Sequence, residues 1–155
     1  MSPATVGRIW TKGMMSSLTC EWATPRQLFE MLDREFHFTL DVCATSESAK
    51  CKEYLTDDAL ARIWIPAEDG AIWMNPPYGR KIGDWVEKAY RESIAARRNI
   101  TIVMLLPARS DTSWFHDYCL PHGEIRFLRG RLSFEGQRKG RCPFPSMIVI
   151  FRGPR

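Results

Sequence analysis

The sequence predicts an α/β protein built around buried parallel strands. Two apolar runs, Ala71–Met74 and residues 100–106, are continuous rather than alternating, the pattern of strands covered on both faces. Between them Ile82, Trp85, Val86, Ala89, Ile94 and Ala95 recur at helical spacing, so residues 83–98 read as a helix, with Arg97 and Arg98 suited to the negative end of its dipole. The first run stops at Asn75-Pro76-Pro77-Tyr78. Consecutive prolines lack N–H groups and fix φ, and the residue before a proline is pushed out of the helical region. Asn75 is thereby expected at the carboxyl end of a strand, on a stiff turn, at the edge of an open α/β sheet where ligands bind.

The remaining elements follow in chain order. Residues 1–20 carry Gly, Ser and Thr without a clear period and read as a flexible arm, leaving 21–155 as a single domain. Thr24 is a good N-cap and Pro25 suits a first helical position; Leu28, Phe29, Leu32 and Phe36 then fall at helical spacing and should face the core. Residues 38–43 read as a strand ending near Asp41, and residues 45–49 must make the turn after it. Residues 50–69 show no clear element. Only 33 residues separate Asp41 from Asn75, so the limb between them is expected to be short and their strands to be neighbours. Asp111 is a plausible cap for a short helix carrying Trp114, Phe115 and Tyr118. Residues 124–128 and 147–152 read as two last strands, joined by a long basic loop.

A chain of 155 residues buries about 68–70% of its unfolded surface, enough for a core. Hydrophobic residues at 45% and charged residues at 26% are ordinary for a soluble globular protein. No apolar run approaches the ~20 residues of a membrane span, and the first 20 residues hold no apolar block of signal-peptide length, so the expected location is cytoplasmic. The five cysteines are odd in number and lack a Cys-x-x-Cys pair, which reads as free thiols; His37, His116 and His122 show no ligand spacing with them, and no metal is expected. The net charge of +4 is unevenly placed. Residues 121–155 hold eight basic residues against two acidic ones, +6, which leaves −2 elsewhere. A basic end on a near-neutral body points to a polyanion, or to a solvated tail.

The stiff turn at Asn75 suits chemistry on an amino group conjugated to a ring. Such a nitrogen has its lone pair delocalised and is a poor nucleophile. Two fixed acceptors, the Asn75 side-chain oxygen and the Pro76 carbonyl, can bind its two hydrogens and favour a tetrahedral nitrogen. Tyr78 offers a ring on which the substrate ring stacks.

Asn-Pro-Pro-Tyr resembles the signature of amino-group methyltransferases that use S-adenosylmethionine. Trp22-x-Thr24-Pro25, Asp41-x-x-Ala44, Asn75-Pro76-Pro77-Tyr78, Leu105-Leu106-Pro107-Ala108, Gly130-Arg131-x-x-Phe134 and Pro145-Ser146, in that order, resemble the compact phage-type DNA N6-adenine methyltransferase (Dam-like) family. The resemblance implies a reduced class I (Rossmann-like) methyltransferase, a mostly parallel sheet with flanking helices and a C-terminal antiparallel strand, acting in the host cytoplasm if phage-encoded. It implies S-adenosylmethionine as cofactor, bound by Trp22, Thr24, Pro25, Asp41, Cys43, Ala44, Asp57 and Asn75. Catalysis falls to Asn75, Pro76, Pro77 and Tyr78. Phe134 is expected on the other face of the base, with Arg129, Arg131, Arg138, Lys139 and Arg141 on DNA that is double-stranded or transiently unpaired. No Gly-x-Gly follows Asp41, a departure from the usual cofactor strand. Asp41 can equally be a strand-end cap, Asp57 and Asp58 can face solvent, and Phe134 can anchor its loop. Cytosine N4, a protein glutamine, or a catalytically inactive DNA-binding module remain open.

Overall fold

The computed structural model describes residues 23–56, 58–95, 99–133 and 142–154. Its core is a six-stranded mixed sheet in the order β2-β1-β3-β4-β6-β5: β1 Phe38–Asp41, β2 Glu53–Tyr54, β3 Ala71–Met74, β4 Thr101–Pro107, β5 Glu124–Phe127 and β6 Ser146–Arg152. The first four run parallel, while β6 is antiparallel to both β4 and β5. Helix α1 spans Arg26–Phe36 and α2 spans Ile82–Ile94; a π-helical turn, Phe115–Cys119, runs into the short α3, Leu120–His122.

The two long helices lie on opposite faces, as the strand alternation requires. Phe29 of α1 meets the edge of the Trp73 ring at 5.5 Å, and Phe38 packs on the same indole at 5.3 Å. Tyr90 of α2 meets Phe151 at 5.7 Å. The ladders put Phe151 in register with Ile72, one residue out of phase with Trp73, so the two rings point to opposite sides. Side chains of Ile72, Met74, Ile102, Met104 and Leu105 are shut off from solvent, as expected of strands covered on both faces.

The limb between Asp41 and Asn75 is short. It holds the two-residue β2 and one 3-10 turn, Ala59–Ala61, and β1 and β3 are direct neighbours. Trp64 is the largest side chain buried in this limb before β3. Its side chain is 0% exposed, its indole N–H donates to the Ala59 carbonyl at 2.8 Å, and its ring stacks on Trp85 of α2 at 6.4 Å. Its backbone N–H donates to the buried Glu92 carboxylate, which Lys88 neutralises at 2.7 Å.

Two local features hold the chain ends of the sheet. His37 closes α1 in the left-handed region, φ 56°, with its N–H on the Asp33 carbonyl. Its own carbonyl accepts from Ala71 N–H at 3.0 Å, which brings Gly70 tightly against β1. A Cβ on Gly70 would stand 2.6 Å from the His37 carbonyl oxygen and 2.4 Å from Thr39 Cγ2. Gly70→Ala should therefore destabilise the protein by about 1–3 kcal/mol, the usual cost of overpacking against backbone. A melting temperature equal to that of the unaltered chain would contradict this packing.

At the far edge Arg126 of β5 grips the Glu35 carboxylate at 2.7 and 2.8 Å, and Arg126 and Arg152 both lie over the Phe36 ring. The guanidinium holds the Glu35 carboxyl below its ordinary value. Among the described residues no helix is long and apolar enough to cross a membrane.

Candidate active site

The site is assembled where three parallel strands end. Asp41 aligns with Trp73, and Met74 aligns with Met104, so Asp41, Asn75 and Leu105 come to one edge of the sheet. With a period of two, Asn75 shares a face with Trp73 and so points towards the start of α1. Its amide Nδ2 donates to the Thr24 hydroxyl at 3.2 Å, across 51 residues of chain. With the nitrogen so engaged, the amide is fixed in rotation. Its Oδ1 atom is buried and accepts no hydrogen bond from a described residue.

This bond corrects the expected role of Thr24. The helix begins at Arg26, Pro25 takes the N-cap position, and no side chain caps the end. The Pro25 carbonyl accepts the first helical bond, from Phe29 N–H at 3.1 Å. The Thr24 hydroxyl is drawn to Asn75 instead, so Thr24 links the helix start to the strand end.

Asp41 is 2% exposed. Its Oδ1 accepts from Cys43 N–H at 3.2 Å and its Oδ2 from Lys50 N–H at 3.0 Å, so the carboxylate pins both ends of the turn after β1. Within that turn Thr45 N–H donates to the Ser48 hydroxyl and Ser48 N–H to the Thr45 hydroxyl, at 2.9 and 3.2 Å. Reciprocal caps of this kind satisfy the backbone of the turn locally. Burial pushes the Asp41 carboxyl up to about 6, against the two backbone donors and the Lys50 charge, which favour ionisation. Ala44 is buried and Cys43 half-buried beside it. Burial, with the Asp41 charge, pushes the Cys51 thiol up to about 12, and burial alone does the same to Cys119, so neither is a thiolate at neutral pH.

Tyr78, expected to offer a ring face to the substrate, lies inside the protein in this structure. Tyr78 is 0% exposed, and its hydroxyl donates to the Leu105 carbonyl at 3.0 Å. Its ring meets the edge of Phe144 at 5.5 Å, and the Arg109 guanidinium lies 5.9 Å from the Phe144 ring. The aromatic that follows the two prolines thus plugs the turn into β4. The stiff turn leads to residue 78, and Phe144 and the Leu105 carbonyl hold its ring over β4. Pro76 is buried and Pro77 half-buried in the same turn. The sequence does not single out Arg109 or Phe144. The one signal for them is place: Arg109 directly follows Leu105-Leu106-Pro107-Ala108, and Phe144 stands between two prolines.

Arg129 and Arg131 are exposed beyond the carboxyl end of β5. The readings placed on the 1–20 arm, Trp22, Asp57, Phe134, Arg138, Lys139 and Arg141 fall outside the described residues. Among the described residues no group of three or more His, Cys, Asp or Glu side chains is arranged to hold a metal ion.

The family model for DNA N-6-adenine-methyltransferase (Dam) matches residues 13–154, nearly the whole chain and every element of the site. The chain belongs to this family. Among known proteins it is similar to the DNA N-6-adenine-methyltransferase of Escherichia phage T1, with 31% identity over 133 residues. That match covers 81% of this chain and 53% of the relative, so the chain spans about half the relative's length. In this Dam-family chain the matched region includes Thr24, Asp41 and the Asn75–Tyr78 turn together.

Proposed function

We propose that the chain is an adenine-specific DNA methyltransferase of reduced class I, Rossmann-like architecture. It transfers the methyl group of S-adenosylmethionine directly to the exocyclic N6 of an adenine that is flipped from the duplex or already unpaired. Membership in the Dam family supports the activity, and the sheet order, with its short β2 limb and antiparallel β6, supports the architecture. One observation carries the site assignment: the Asn75–Thr24 bond, which commits the amide nitrogen and turns Oδ1 into the acceptor for a substrate amino group.

In this reading Asn75 Oδ1 and the Pro76 carbonyl accept the two amino hydrogens, and Pro77 keeps the turn stiff. With its lone pair held out of ring conjugation by these two acceptors, the amino nitrogen would be the nucleophile toward the methyl group that S-adenosylmethionine would supply, and its surplus proton would pass to water. The positive charge that develops on nitrogen meets two oriented dipoles already in place. S-adenosylmethionine supplies the electrophilic methyl group when bound. The residues fit it: an ionised carboxylate has about four acceptor positions, and Asp41 has used two, which leaves capacity for the methionine ammonium. Thr24, Pro25, Cys43 and Ala44, with Trp22 and Asp57, belong to the same proposal. Tyr78 serves as the anchor of the turn. Arg129 and Arg131, with Arg138, Lys139, Arg141 and Phe134, make the DNA side.

The Asp41 assignment carries a sign. Its carboxyl titrates near 6 in the folded protein, so it is ionised above that pH and loses its charge as the pH falls through it. Affinity for S-adenosylmethionine, measured by calorimetry, should hold from pH 8 to 7 and drop between pH 6.5 and 5. Equal affinity across that range would remove Asp41 from the cofactor site. The function itself is tested by transfer of labelled methyl groups from S-adenosylmethionine to DNA. Label should enter DNA and not a protein substrate with an exposed glutamine; label in the protein alone, or in neither, would overturn it.

A further inference from the structure

The sheet brings one more aromatic to the level of the site, on a strand that the Asn75 chemistry does not use. Phe127 closes β5 and is 65% exposed, the most exposed large apolar side chain among the described residues. It pairs with Met147, and Met147 with Leu106, so Phe127 stands one residue beyond the level of Leu105, the residue that anchors Tyr78. From β3 to β5 is three strand steps, or about 14 Å at ordinary sheet spacing. Although β5 lies at the sheet edge, it runs parallel to β3 and β4, so its carboxyl end shares their edge.

Charge and rigidity point to the same use. Arg129 and Arg131 follow within four residues and are exposed, and neither forms an ion pair with a described residue. Glu124, the acid on this strand, is taken up by Arg126 and Arg152 on the opposite face. Phe127 is not on a loose loop: the next residue, Leu128, donates its N–H to the Ser146 carbonyl at 3.1 Å, and Gly130, at φ 75°, then turns the chain away. A fixed, exposed aromatic next to cations fits a polyanion with stacking faces, which is a nucleic acid strand.

We infer that Phe127 stacks on a base next to the opened target position, while Arg129 and Arg131 hold the adjoining phosphates. The inference rests on the DNA reading above and adds to it a contact strand about 14 Å from the chemistry. The test is binding of a fluorescently labelled DNA duplex by the full chain at several salt concentrations. Phe127→Ala should keep the melting temperature and weaken binding roughly 5–150-fold, by the same factor at every salt. Phe127→Trp should bind like the unaltered chain, and Phe127→Leu should share the loss. Arg129→Ala with Arg131→Ala should instead flatten the slope of log K against log salt, by up to about 0.9 for each phosphate left without its cation. Affinity unchanged in Phe127→Ala, or restored by leucine, would overturn the stacking role while leaving the methyltransferase reading in place. A change in oligomeric state with unchanged DNA affinity would reassign the patch to a second copy of the chain. Absence of DNA binding by the unaltered chain would overturn both readings.

Discussion

Asn75→Ala should lower methyl transfer by roughly 10²–10³-fold, the usual loss when one preorganised polar contact to developing charge is removed. The folded state should lose about 1 kcal/mol with the bond to the Thr24 hydroxyl and otherwise persist, because the Pro76-Pro77 turn remains. Thr24→Ala tests the same unit from the other side. It leaves Oδ1 in place but removes one bond that orients the amide, so its effect should fall on the rate and be smaller than that of Asn75→Ala. Steady-state transfer rates on one DNA substrate, with melting curves for both variants, check this. A Thr24→Ala enzyme slower than Asn75→Ala at equal stability would mean that Thr24 acts directly and not through Asn75.

Tyr78→Ala should be the most destabilising change in the site. It empties a fully buried ring position and strips the Leu105 carbonyl of its hydroxyl donor. Aromatic-to-alanine changes in cores cost about 3–5 kcal/mol, which for a protein of this size lowers the melting temperature by roughly 6–20 °C. Tyr78→Phe keeps the ring against Phe144 and loses the hydroxyl bond alone, for about 1 kcal/mol. A Tyr78→Ala protein that melts normally yet fails to transfer methyl groups would restore the ring to the substrate face expected from sequence.

The strands around the site were legible because parallel strands buried on both sides leave continuous apolar runs, and the double proline marks where one of them ends. The neighbouring of β1 and β3 was legible too, from simple shortage of chain between Asp41 and Asn75. Three features were not. The Thr24–Asn75 bond joins residues 51 apart, and Thr24 also satisfies a local rule as a helix cap, so nothing in its own neighbourhood points to Asn75. Tyr78 follows a stiff turn, but the turn's direction over β4, which decides between an exposed and a buried ring, is set by Phe144 and Leu105 from other elements. Trp64 stands in a segment without period, and its buried place in the short limb appears only beside Trp85 and Glu92. In each case a residue was placed by partners distant in sequence, where local periodicity and capping carry no information.

The most direct measurement is the identity of the modified nucleoside. DNA incubated with the full chain and S-adenosylmethionine, digested to nucleosides and resolved by mass spectrometry, should contain N6-methyladenosine in its deoxy form. The same digest from the Asn75→Ala reaction should contain little or none. N4-methylcytosine in its place, or no methylated nucleoside under conditions where the cofactor binds, would contradict the account.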